Sequence, residues 1–103
     1  MLVFVHIRVD PKDMSLDKLW DIWEEEAKAA LEAMEAGKIV SLYKICGQLR
    51  FLAIMDVESY DELDRVLMAG LPMARYLIIE EVAPIREYEA FASDIMQRWQ
   101  QAT

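Results

Sequence analysis

The amino-acid sequence predicts one α+β domain in the order strand, helix, strand, strand, helix, strand, followed by a further helix. Three observations carry this reading. The chain opens on a run of alternating β-branched and aromatic residues. Two similar runs flank a Gly-Gln pair near the middle. Each half of the chain then holds a helical segment with its own cap and stop signals. At 103 residues there is room for a single domain.

Leu2 to Val9 reads as the first strand, ended by Pro11, which cannot donate to a sheet ladder. Alternation puts Val3, Val5, Ile7 and Val9 on one face, the expected core side. Leu2, Phe4, His6 and Arg8 fall on the other, too mixed a set to face bulk water. Ser15 is placed to cap a helix from Leu16 to Ala36 that Gly37 closes. Leu16, Leu19, Trp20, Trp23, Ala27, Leu31 and Met34 recur at the three/four spacing of one buried stripe. Ile22 lies off that stripe, Glu25 opposite it, and Glu26 on its border, about 80° from its centre.

Ile39 to Cys46 and Leu49 to Val57 predict two strands around a tight turn at Gly47-Gln48. Ser59-Tyr60-Asp61-Glu62 has the form of a capping box, a Ser cap with Glu three residues on. The helix it starts runs through Leu63, Val66 and Leu67 to Gly70, and Pro72 prevents its continuation. Tyr76 to Val82, or as far as Ile85, is the fourth strand. From Arg86 to Gln101, Tyr88, Phe91, Ala92, Ile95 and Trp99 recur on one side of a last helix, suited to fold back on its own domain or to clasp a neighbour. The expected division is a ferredoxin-like domain over 1–85 and a helical extension over 86–103.

Two βαβ halves fit a four-stranded antiparallel sheet with both helices on one face. The bare face would carry Phe4, Phe51 or Leu52, and Ile78 or Ile79. With 55% hydrophobic residues, seven Met and three Trp, the chain holds more apolar side chain than one small core hides. That face is therefore expected to meet a second copy, in an assembly of the dimeric α+β barrel type.

A net charge of −8, with Glu24-Glu25-Glu26 as its longest like-charge run, leaves no basic stripe to displace counterions from phosphates. Nucleic acid and anionic membrane surfaces are excluded as expected partners. Cys46 and His6 are the only residues of their kinds, so no internal disulfide forms and no His/Cys zinc site assembles within one chain. No metal or cofactor is expected. The opening apolar run carries His and Arg and lacks a basic leader, so it does not read as a signal peptide. No run reaches the length of a membrane span, and the cytoplasm is the expected location.

Met1-Leu2-Val3-Phe4-Val5, Asp13-Met14 followed by Asp17-Lys18, Gly37-Lys38, Asp56-Val57-Glu58-Ser59 with Asp61-Glu62-Leu63, and Gly70-Leu71-Pro72 ahead of Tyr76 form an ordered set. From Met1 to about Ala83 this set resembles the muconolactone isomerase family, with few gaps. The Asp-Val-Glu-Ser and Gly-Leu-Pro blocks are its more specific parts, and the tail from Arg86 lies outside it. The resemblance implies a ferredoxin-like subunit in a large ring-like homo-oligomer. It also implies a cofactor-free reaction of aromatic catabolism, in which a double bond of an unsaturated lactone moves by removal and return of a proton. Glu26 stands where the family carries a glutamate on this helix, and Tyr43 and Lys44 where it tends to have an aromatic and a basic residue. The sequence departs at Ser41 and Gln48, where the family shows His and Arg, and Leu49-Arg50-Phe51-Leu52-Ala53-Ile54 is more apolar than its counterpart.

A proton shift beside a carbonyl needs a base, an apolar pocket and a donor for enolate charge. Glu26 is the candidate base, since a carboxylate beside Trp23 and Leu19 is partly desolvated and its pKa rises. The plainer alternative makes it one of three solvated glutamates on a helix flank. Lys44 is placed to hold a substrate carboxylate and Tyr43 to pack on the ring or donate a hydrogen bond; otherwise they are an edge lysine and a half-buried strand aromatic. Arg50 and Arg8 are alternative carboxylate clamps, or ion-pair partners at an interface. An imidazole is chemically suited to general-acid work, which makes His6 a candidate, though a lone strand histidine more often serves structure. Cys46 reads as a small buried hydrophobe on its strand.

The leading expectation is a muconolactone-isomerase-like, cofactor-independent isomerase of a small unsaturated lactone or related carbonyl acid, working as a homo-oligomer (a dimer or a higher ring). Two rivals share the fold: a non-catalytic oligomer that binds a small apolar ligand or only assembles, and a cofactor-free monooxygenase-like enzyme depending on His6 or Tyr43.

Overall fold

The computed structural model describes residues 1–99. In chain order it runs β1 (Leu2–Val9), α1 (Leu16–Glu35), β2 (Ile39–Lys44), β3 (Arg50–Asp56), α2 (Tyr60–Arg65), β4 (Leu77–Ile85) and α3 (Tyr88–Met96). A π turn over Val66–Gly70 prolongs α2, and a short 3-10 turn over Ala74–Tyr76 leads into β4. The strands form one antiparallel sheet in the order β2-β3-β1-β4. With α1 and α2 packed on one face, this is the ferredoxin-like α+β architecture that the element order predicts.

The core follows from the alternation of β1. Val3, Val5, Ile7 and Val9 are each at most 2% exposed. Val3 stands opposite Met55, Val5 opposite Ala53 and Ile7 opposite Phe51, while Leu63 and Leu67 close over them from α2 and its π turn. Leu19 of α1 and Met73 pack at the Val9 end. The register also resolves the two open choices on the bare face. Leu52 lies beside His6 and Ile78 beside Arg8, so these two face outward, and Phe51 and Ile79 pack on the core.

The caps act as the sequence implies. The Ser15 hydroxyl accepts from the Lys18 amide at 3.3 Å, and Gly37 ends α1 in the left-handed region at φ +81°. Ser59 accepts from the Glu62 amide at 3.1 Å. The Glu62 carboxylate reaches back to the Glu58 amide at 2.7 Å, one residue ahead of the position a capping box specifies.

Three expectations need correction. In α1 the buried residues are Leu19 and Glu26, flanked by half-buried Ile22, Trp23, Ala29, Ala30 and Ala33. Leu16, Trp20, Leu31 and Met34, assigned to the buried stripe by spacing, are 61%, 47%, 64% and 38% exposed. The helix carries two apolar stripes about 100° apart, and the domain covers the one with the smaller side chains. In the hairpin the strands stop at Lys44 and resume at Arg50. The connection turns at Gly47 (φ +77°), where the Gln48 amide donates to the Ile45 carbonyl at 3.2 Å. Cys46 therefore sits exposed in a turn and not buried on a strand. The last helix is shorter than expected, spanning Tyr88–Met96, and Trp99 follows in a turn at φ +63°. The remainder of the expected helix, 100–101, lies outside the described residues.

No α3 residue joins either buried cluster, and the molecule measures 56 × 26 × 21 Å. The tail is organised around Arg86 instead. Its guanidinium bonds Asp94 at 2.8 Å and lies over the rings of Phe91 and Trp99, 5.5 and 6.0 Å from their centroids.

Leu19 is the large side chain that ties α1 to the sheet. Leu19→Ala is expected to lower folding stability by about 2–5 kcal/mol, read as a reduced urea midpoint at unchanged denaturant slope.

Candidate active-site groove

α1 and α2 do not close on each other above the sheet. The gap between them is a groove of about 690 Å³, within the range of roughly 300–1,000 Å³ typical of small-molecule sites. Leu42, Phe51, Ala53 and Met55 form its floor, Ala30 and Ala33 line the α1 wall, and Val66 and Leu67 line the other. The cause is local. The α1 stripe that faces inward presents alanines along its second half, and these do not reach across to the π turn.

Glu26 projects from the middle of that stripe. It is 5% exposed and is the only charged side chain buried among the described residues. Its Oε2 has no hydrogen-bond partner. Burial pushes the carboxyl pKa above the usual range, while the Met73 backbone N–H acts the other way. A carboxylate withdrawn from water normally finds a cation or a set of donors. Here the larger influence is desolvation, the condition under which a carboxyl group can exchange a proton near neutral pH.

Lys44 lines the same groove at the end of β2. Its ammonium donates to the Ile45 carbonyl at 2.9 Å. It stands beside Phe51, whose ring meets Trp23 edge-on with centroids 6.4 Å apart. At the far end Lys38 pairs with Glu62 at 3.5 Å.

The other sequence candidates lie on the opposite face of the sheet. Tyr43 and His6 both flank Leu52, and Arg50 stands opposite Arg8. Arg8 Nε and Arg50 Nη1 converge on Glu80 Oε1 at 2.9 and 3.3 Å. The hydrogen bond from Arg8, followed by the charge of Arg50, holds the Glu80 carboxyl below the usual range. His6 Nε2 is buried without a partner. The structure thus gathers Glu26 and Lys44 into one groove and sets Tyr43, Arg50, His6 and Arg8 behind the sheet.

Sequence reasoning missed Glu80, which a register shift between His6 and Ile7 turns toward the arginines; nothing in the sequence marks that bulge. It also missed Ala30 and Ala33 as groove wall, although their helical spacing with Glu26 was a usable signal. Among the described residues no three His, Cys, Asp or Glu side chains are placed to hold a metal ion. No helix among them is long and apolar enough to cross a membrane.

Comparison with known proteins points one way. The family model described as muconolactone delta-isomerase matches residues 1–90, past β4 and into the first turn of α3. A muconolactone delta-isomerase of Acinetobacter baylyi is 33% identical over 91 residues, 85% of this chain and 94% of the relative. One of Rhodococcus opacus is 30% identical over 90 residues, 84% and 95% of the two chains. A crystal structure of muconolactone isomerase matches with a TM-score of 0.72 at 30% identity, covering 84% of this chain and 90% of that one.

The raised pKa of Glu26 has a thermodynamic signature. Above the ordinary carboxylate range the folded state holds this proton more tightly than the unfolded state, so stability falls as pH rises through the folded pKa. Glu62 and Glu80, whose pKa values are lowered, act in the opposite sense and at lower pH. The wild-type urea midpoint is therefore expected to drop relative to that of Glu26→Gln as pH rises from the ordinary carboxylate range through the folded pKa of Glu26. Parallel curves for the two proteins would contradict the assigned burial.

Proposed function

Because the chain belongs to the muconolactone delta-isomerase family, we propose that it is a cofactor-independent isomerase that moves a carbon–carbon double bond in a small unsaturated lactone or related carbonyl acid. One observation carries the mechanism: a single buried carboxylate, Glu26, with one oxygen unpartnered and no cation beside it, at the wall of an apolar groove.

In its ionised form Glu26 takes a proton from the ring carbon that bears the substituent. The electron pair moves through the double bond into the carbonyl, giving a dienolate. The carboxylic acid so formed returns a proton to the carbon next to the carbonyl, and the double bond has shifted by one position. One C–H bond breaks and one forms, with no net oxidation. Desolvation raises the basicity of Glu26 toward that of a useful carbon-acid base, and the apolar walls limit exchange of the proton with water. Lys44, at the end of the groove, is the cation available to a substrate carboxylate. The monooxygenase-like alternative depended on His6 or Tyr43, and both lie on the sheet face away from the groove.

Self-association is part of the proposal. The outer sheet face combines Phe4, Leu52 and Ile78 with Arg8, Arg50 and Glu80. An apolar centre with both charge signs beside it suits a second copy of the same face. Cys46, single and exposed, suits a reducing compartment, and we place the protein in the cytoplasm.

The test is isomerisation of muconolactone in deuterated buffer, followed by NMR. Glu26→Gln is expected to lower turnover and deuterium incorporation by roughly 100-fold or more, and Lys44→Ala to raise KM more than it lowers kcat. Full activity in Glu26→Gln would remove Glu26 as the base. For assembly, Phe4→Glu is expected to shift the sedimentation coefficient toward a smaller species; an unchanged value would move the interface elsewhere.

A further inference from the structure

We propose that the groove selects lactones bearing an extended apolar substituent, with the ring at Glu26 and the substituent running along α1 toward Ala33. This rests on the isomerase reading of Glu26 and names the substrate class that the same site would take.

The argument begins with volume. A groove of about 690 Å³ is far larger than a small lactone acid fills, and apolar walls left facing water favour an apolar occupant. The groove runs from Glu26 along the alanines of α1. Glu26 and Ala33 lie two turns apart on α1, about 10 Å at 1.5 Å per residue. Between them the helix offers small apolar side chains to the groove, with Met55 beneath and Leu67 opposite. The next charge along this path is Lys38, already paired with Glu62 at 3.5 Å. A carboxylate carried toward that end would find no free counter-charge, since Lys44 lies at the opposite end of β2, whereas an alkyl chain would displace only poorly held water.

The second observation is Glu26 itself. It is 5% exposed, with Oε2 unpartnered, and it lines this cavity. An occupant that brings a polar ring to Glu26 and an apolar body to the alanines satisfies both halves of the groove. Catalysis would proceed as above, with the ring carbon that carries the chain giving up the proton and the carbon next to the carbonyl receiving one.

Two measurements separate this inference from the reading beneath it. The first is kcat/KM for a series of 5-alkyl-2(5H)-furanones from methyl to octyl, in wild type and in Ala33→Leu, whose larger side chain intrudes on the path. The second is affinity for saturated 5-alkyl γ-lactones, which bind without turnover, read by quenching of tryptophan fluorescence; Trp20 and Trp23 line the groove. The expected result is a gain of about fourfold per added methylene in wild type, ending when the chain spans the distance to Ala33, and a flattened series in Ala33→Leu. Turnover that is equal or best for the methyl compound would overturn the inference and leave the isomerase standing. Absence of turnover with every lactone, together with chain-length-dependent binding that Ala33→Leu abolishes, would retire the isomerase and keep the apolar ligand class. Binding indifferent to chain length, or equally steep in Ala33→Leu, would overturn the inference whatever the turnover.

Discussion

The two-residue repeat of β1 is the constraint on which the rest of this structure depends. β1 lies between β3 and β4 and is the only strand that pairs with both of them. Its four inward residues are sealed by α1 and α2 together. Once Val3, Val5, Ile7 and Val9 are committed to the core, the register assigns a side to every residue of the neighbouring strands. A slip by one residue would expose the valines and bury Arg8 without compensation. The arrangement of the candidate site follows from the same parity. Lys44 falls on the groove side because its partner Phe51 stands opposite Ile7, and Arg50 falls behind the sheet because it stands opposite Arg8.

Against that framework Glu26 is the anomaly. A helix that must bury one side would gain by turning Leu31 and Met34 inward and leaving its glutamates to water. α1 does the reverse, packing Leu19 and Glu26 and exposing the larger side chains. Orienting a helix so that a carboxylate is withdrawn from solvent without a cation and with one oxygen unpartnered costs stability. Such costs are tolerated where the strained or desolvated group performs a task. The two peculiarities of α1 also support each other. The rotation that buries Glu26 brings alanines over the sheet, and the alanines leave the groove open.

Much of the fold was legible because local signals agreed with one another. Ser15 and Gly37 bracket α1, Ser59 and Glu62 start α2, and the alternation of β1 announces its own burial. Legibility failed where a signal had two solutions or depended on distant parts of the chain. The spacing of α1 supports two stripes, and side-chain size favoured the wrong one. A tight turn at Gly47-Gln48 would keep Cys46 on a strand, whereas the chain makes a longer connection around Gly47 that leaves it exposed. The turn of Glu80 toward Arg8 and Arg50 arises at a bulge between strands far apart in sequence. For the site, the resemblance drew attention to Glu26 and Lys44, whereas their grouping with Tyr43 overlooked a rule already available. Adjacent strand residues point to opposite faces, so Tyr43 and Lys44 cannot attend the same ligand within one subunit.

That adjacency has an evolutionary consequence. Along β2 and β3, successive letters of the sequence answer to separate demands, one set to whatever lies behind the sheet and the other to whatever enters the groove. Substitution at Leu42, Lys44, Ala53 or Met55 reshapes the groove while leaving Tyr43, Leu52 and Ile54 as they were. A lineage can therefore shift its substrate range by drift on alternate positions of two strands, with the opposite face inherited intact.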